Sequence, residues 1–175
     1  MEGEFIKHVI NIVVAFSALI TAVSSAYAKN PGARQAFRDA QLVYLKGDFA
    51  RAAQMFARNL ENYPSHEVSI LFLGKAMFRM GRFGDAWTAF KHVPESSLDS
   101  ESRYEYGYSA YRSKSWEIAA RVLSAVPEGD QNYDLAMYYA SVSLINLDDL
   151  DEAETKMRKA VVLPTRFLAS RKGIL

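Results

Sequence analysis

Three histidines, one acidic run and a scatter of serines are the residues of this chain whose types could do chemistry. The histidines are His8, His66 and His92. Imidazoles close in the fold can hold zinc or move protons, but neither His66 nor His92 stands in a metal-ligand motif. The run "DDLDEAE", Asp148 to Glu154, lacks the spacing of a calcium loop. It falls at an expected helix start, where negative charge complements the macrodipole. No serine sits in a nucleophile elbow, and no glycine-rich phosphate loop follows a strand. The chain has no cysteine, which removes disulfides, thiolate nucleophiles and cysteine zinc sites. These residues make no catalytic constellation, so the expectation is a protein that is not an enzyme, with no cofactor and no metal.

The elements that would position any other site are easier to read. Gly47, Gly81, Lys114 and Asp148 recur 33 or 34 residues apart. Two residues after each comes a large apolar side chain: Phe49, Phe83, Trp116, Leu150. Five after comes Ala52, Ala86, Ala119 or Ala153. Nine after comes Phe56, Phe90, Leu123 or Met157. Three before comes Tyr44, Phe78, Tyr111 or Ile145. Such a period marks stacked helical hairpins. Apolar residues on both sides of each turn position keep helical spacing. The glycines suit a tight connection, Asp48 suits a helix N-cap, and Pro64, Pro94, Pro127 and Pro164 limit the second helices.

The chain resembles the tetratricopeptide repeat (TPR) family from Arg34 to about Pro164, over four units. The resemblance is carried by a small residue in each first helix (Ala40, Gly74, Gly107, Ser141), then an aromatic after the turn, alanine, a large apolar residue and proline. It implies an all-α fold, an alpha-alpha superhelix of antiparallel hairpins. The expected units are 34–66, 67–99, 101–132 and 134–164, with a partial capping helix over 165–175. The pattern departs from the family at Lys114 and Asp148, which replace the turn glycine. Asn59 stands where a small residue is usual, and Ala36, Ile70, Arg103 and Met137 stand where Trp is frequent.

The resemblance also implies a concave groove, lined by first helices, that takes a protein or peptide partner. Carried onto this sequence, its positions are Phe37, Gln41, Lys75, Arg79, Tyr104, Tyr108, Arg112 and Tyr138. Lys75, Arg79, Tyr104, Tyr108 and Arg112 are expected at the surface, and Tyr44, Phe78 and Tyr111 partly in the core. Aromatics interleaved with cations fit a segment with apolar or aromatic anchors and some acidic character. Phe37 and Gln41 replace the Lys and Asn with which some members clamp chaperone C-termini, so that role is not expected. A net charge of +1 gives nucleic acid no general attraction.

Val9 to Ala28 carries no charge and ends Ala26-Tyr27-Ala28, the small-x-small pattern that a signal peptidase reads. Residues 1–28 are expected to be an export signal and 29–33 a flexible joint, giving a periplasmic or secreted module of a bacterial envelope assembly. Two alternatives stay open. The segment could remain as a membrane anchor, since 20 uncharged residues just span a bilayer. The chain could also be the N-terminal part of a larger protein whose catalytic domain lies elsewhere.

Overall fold

A computed structural model describes residues 30–160 of the chain. The expected export segment, residues 1–28, and the expected cap, 165–175, lie outside the described residues, as does Pro164. The described residues form eight α-helices and no strand: α1 Pro31–Leu45, α2 Phe49–Asn62, α3 Glu67–Arg79, α4 Phe83–Phe90, α5 Ser100–Arg112, α6 Trp116–Ser124, α7 Tyr133–Asn146 and α8 Leu150–Ala160. A short 3-10 turn, Glu95–Ser97, precedes α5. None of these helices is long and apolar enough to cross a membrane. The helices pair as four hairpins in two compact units, which among the described residues are 30–94 and 95–160.

Pro31 to Ala33, expected in a joint, are instead the first turn of α1. Pro31 needs no N–H there, and the Asn30 side chain accepts from the backbone N–H of Gly32 (2.9 Å) and Ala33 (3.4 Å). α2 ends before Pro64, while α4 and α6 stop a few residues short of Pro94 and Pro127.

Every turn position of the repeat is left-handed. Gly47 and Gly81 have φ of 83° and 73°, and Lys114 and Asp148 reach 59° and 62° with a side chain in place. The backbone explains why. After α5 the N–H of Ser115 bonds to Ala110 C=O (2.9 Å) and that of Lys114 to Tyr111 C=O (3.0 Å). After α7, Asp149 bonds to Leu144 and Asp148 to Ile145 in the same way, as do Arg82 to Met77 and Gly81 to Phe78 after α3. This double closure satisfies carbonyls that the helix end would orphan, and it demands the left-handed residue whatever its type. The next residue stands just before the second helix, at its N-cap. Asp48 accepts from Arg51 N–H (3.1 Å) and Asp149 from Glu152 N–H (3.3 Å). Rings then clasp the turn: Tyr44 on Phe49, Phe78 on Phe83 and Tyr111 on Trp116, with centroids 5.1, 5.3 and 5.7 Å apart.

The hairpin interiors explain the small column. A Cβ on Gly74 would stand 2.7 Å from two ring carbons of Phe90, and one on Gly107 would stand 2.6 Å from Cγ of Leu123. Phe90 and Leu123 are fully buried, as are Ala40 and Phe56. Burying each such large side chain stabilises the hairpin by about 1.5–3 kcal/mol. In the fourth hairpin Ser141 takes the small position and donates its hydroxyl to Ala153 C=O (2.8 Å), which satisfies a fully buried polar group. Arg103, in the Trp position, reaches the carbonyls of Ala125 (3.1 Å) and Leu98 (3.3 Å), so it ties α5 to two loops by charge-assisted bonds.

Candidate functional site: an aromatic face in the second unit

In the second unit, α5 and α7 lie side by side and gather five tyrosines in one cluster, with Trp116 of α6 at its end. Tyr104, Tyr108 and Tyr111 follow one another at i, i+4 and i+7 along α5, with centroids 6.0 Å apart at each step. Tyr139 of α7 inserts against both Tyr108 and Tyr111, at 4.8 Å from each. Tyr138 meets the edge of Tyr139 at 5.2 Å, and Trp116 closes the far end against Tyr111. Ring pairs at these distances and tilts are attractive beyond the area they bury.

Arg112, exposed in the last turn of α5, folds back over this cluster. Its Nη1 donates to the Tyr108 hydroxyl (3.2 Å) and its guanidinium carbon lies 5.9 Å from the Tyr108 ring centre. Tyr108 in turn packs edge-on against Tyr139. Burial pushes the Tyr139 phenol up to about 12, with Tyr108, Tyr111 and Tyr138 adding to the rise. Burial raises Tyr104 as well, helped by Tyr139 and Tyr108. Both phenols therefore stay protonated in the physiological range. On α7 the cluster adjoins a stripe of apolar side chains at helical spacing. Leu135, Tyr138 and Ile145 are 37%, 40% and 50% exposed, and Val142 is half-buried.

Of the eight side chains expected in a groove, the structure brings four together here: Tyr104, Tyr108, Arg112 and Tyr138. Arg112 and Tyr138 are exposed, and Tyr104 and Tyr108 half-buried. The other four belong to the first unit. Arg79 is exposed and Gln41 half-buried. Phe37 is half-buried, with its ring against Phe56 (5.7 Å), Phe72 (5.2 Å) and His66 (5.8 Å), so most of it serves packing. Lys75, expected at the surface, is only 6% exposed. Charges at that depth are paired or hydrogen-bonded within a fold, so Lys75 is not the surface cation expected.

Tyr139 is the residue that sequence reasoning missed. It stands two positions before the small residue of its repeat, where the other repeats carry Arg38, Phe72 and Glu105. Phe72 does in the first unit what Tyr139 does in the second. It packs on Tyr44 (5.5 Å) and Phe56 (5.6 Å) as well as Phe37. The signal was an aromatic in alternate repeats, hidden by the charges between.

The titratable residues take structural parts. Buried Asn59 donates to Ala33 C=O (3.1 Å) and to Ser69 Oγ (2.9 Å), and Ser69 meets Nδ1 of His66 at 2.8 Å. The Ser69 hydroxyl proton is thus available to Nδ1, which suits a neutral ring, and burial holds His66 below the usual histidine range. His66 is 3% exposed, deeper than its place in a connection implied. His92 is lowered too, by burial and then by Lys91. His8 lies outside the described residues. Among the described residues no group of three histidine, aspartate or glutamate side chains could hold a metal ion. Two concavities, about 410 Å³ between α1 and α2 and about 430 Å³ among α6, α7 and α8, lie away from the rings.

No family model matches the chain, and no curated protein matches it in sequence. Solved structures do match. "MamA 41-end from Desulfovibrio magneticus RS-1" aligns over 95% of this chain and 98% of its own, with a TM-score of 0.56 and 15% identity. The "MamA RS-1 ArsTM double mutant" aligns over the same shares at 0.57 and 15%. The fold is TPR-like. At that identity the likeness concerns the backbone alone.

Proposed function

We propose that this protein is a non-catalytic interaction scaffold that holds a segment of a partner protein on the aromatic face of α5 and α7. The observation that carries the reading is the cluster of Tyr104, Tyr108, Tyr111, Tyr138 and Tyr139 with Arg112 over it, next to the exposed stripe of α7. Tyrosine and arginine anchor protein interfaces more than other residues, because they offer large area with few rotatable bonds and a polar tip.

The uncharged segment Val9 to Ala28 supports a role in a bacterial envelope assembly, periplasmic after cleavage or membrane-anchored if the segment stays. The mass of the purified protein separates the two, since a start at Lys29 means cleavage. For binding, a pull-down from the envelope fraction with the wild type, Tyr138→Ala and Arg112→Glu is the test. A partner should be retained by the wild type and lost from both variants, with far-UV circular dichroism unchanged. Equal capture by all three would remove the face from the function.

A further inference from the structure

We infer that residues 165–175 of this chain lie along the exposed stripe of α7, as a tail that a partner must displace. This rests on the reading of that face as the docking surface and adds its regulation.

The first argument is position in the repeat. Leu135, Tyr138, Val142 and Ile145 stand where α5 carries Glu101, Tyr104, Tyr108 and Tyr111. On α5 those positions are half-buried, and α7 sets Tyr139 against Tyr108 and Tyr111. Phe72 of α3 does the same to Phe37 and Tyr44 of α1. In both units this face receives the first helix of the next hairpin, led by one aromatic. Among the described residues no first helix follows α7, and Leu135, Tyr138 and Ile145 stay exposed.

The second argument is reach. α8 runs back along α7, and the bond from Ser141 to Ala153 sets the register. Buried Ala160, seven residues further along α8, therefore stands level with Asp134, seven residues back along α7. The chain leaves α8 beside the start of the stripe. Residues 63–66 join α2 to α3, and residues 161–164 offer the same allowance. Leu135 to Ile145 covers about 15 Å of helix, which ten residues of a second helix match.

The third argument is chemistry. In a helix Phe167, Leu168, Ile174 and Leu175 fall on one face, with Arg171 between them. The apolar side chains match Leu135, Val142 and Ile145. Arg171 matches the exposed ring of Tyr138, as Arg112 matches Tyr108. Residues 161–175 carry Arg166, Arg171 and Lys172 and no acid, whereas residues 95–160 carry thirteen acidic and seven basic side chains. The exposed side of α8 is charged, with Glu154 and Arg158 paired at 2.6 Å, which leaves α7 as the apolar seat. A tethered segment binds at high effective concentration, so modest contacts keep it seated.

The test is photo-crosslinking within the purified full chain, with a benzophenone side chain at position 138. Without a partner, it should join residues 165–175 of the same molecule, at a yield independent of protein concentration. Position 117, exposed on α6 by the concavity away from the rings, should not. Adding Phe167→Asp and Leu168→Asp should remove most of the yield, with circular dichroism unchanged. No crosslink to residues 165–175 overturns the assignment. So does a covalent dimer whose yield rises with concentration, which gives the stripe to a second copy. The regulation is read separately in the pull-down, where the Phe167→Asp/Leu168→Asp protein should retain more partner than the wild type. Equal retention overturns the regulation. If the tail crosslink forms but no capture depends on Tyr138, the docking reading falls and the seat of the tail stands.

Discussion

Replacing Gly107 by alanine isolates the contact on which the hairpins depend. In an exposed helix interior this change stabilises by about 0.8–1 kcal/mol, because alanine is the better helix former. At Gly107 the new methyl would stand 2.6 and 2.8 Å from Cγ and Cδ2 of Leu123, and 3.3 Å from the Leu123 backbone nitrogen. The side chain of Leu123 is fully buried and the backbone nitrogen belongs to α6, so neither can simply swing away. Overpacking of this kind costs about 1–3 kcal/mol, so after the helix-forming gain the net effect should be a loss of up to about 2 kcal/mol. Gly74→Ala should behave alike against Phe90. Gly84 supplies the control. It is exposed in α4 with nothing near its missing Cβ, so Gly84→Ala should gain up to about 1 kcal/mol. Urea denaturation followed by circular dichroism reads all three. A Gly107→Ala/Leu123→Ala pair should be less damaging than the sum of the singles, because the shortened side chain makes room for the methyl. If Gly107→Ala stabilises as Gly84→Ala does, the close approach of α5 to α6 is not what holds the hairpin.

Lys114 and Asp148 hold left-handed backbone with a Cβ, at a cost of about 1 kcal/mol each. Lys114→Gly and Asp148→Gly should therefore each raise stability by that order in urea denaturation, and Gly81→Ala should lower it. Ala86, fully buried in the small column of α4, should not tolerate a larger side chain; Ala86→Leu should cost about 1–3 kcal/mol and lower the thermal midpoint. His66 should make stability depend on pH. Its folded ring titrates below the ordinary value of 6.5, so the unfolded chain binds more protons as pH drops through that value. Stability should hold at neutral pH and fall below about pH 6.5, and His66→Gln should flatten that slope in urea titrations between pH 7 and 5.

The hairpins were legible because their columns obey one rule at a fixed period. Ala52, Ala86, Ala119 and Ala153 are small for the same steric reason, and all four are buried. Lys114 and Asp148 looked like breaks in the pattern. The structure shows that the conformation persists where the glycine does not, since the closing hydrogen bonds set φ. The start of α1 was misread because Pro and Gly also serve a first turn, where Asn30 can cap it. The site was half legible. Helical spacing puts Tyr104, Tyr108 and Arg112 on one face of α5, but it does not say which ring of α7 fills the gap between them. Tyr139 does so through contacts between hairpins, and the period carries no record of those. Lys75 failed for a related reason. Its place in the repeat reads as surface, whereas the depth of a side chain depends on what its neighbours cover.

The most direct test of the docking face is site-specific photo-crosslinking from position 138, with position 45 on the first unit as a more exposed reference. Leu45 is 71% exposed at the end of α1, so it reports chance encounters. With a benzophenone side chain at 138, crosslinks to one partner segment should form in cells and fade when Arg112→Glu is added, while position 45 gives none. Crosslinks of equal yield from both positions, or a yield at 138 indifferent to Arg112, would contradict the account.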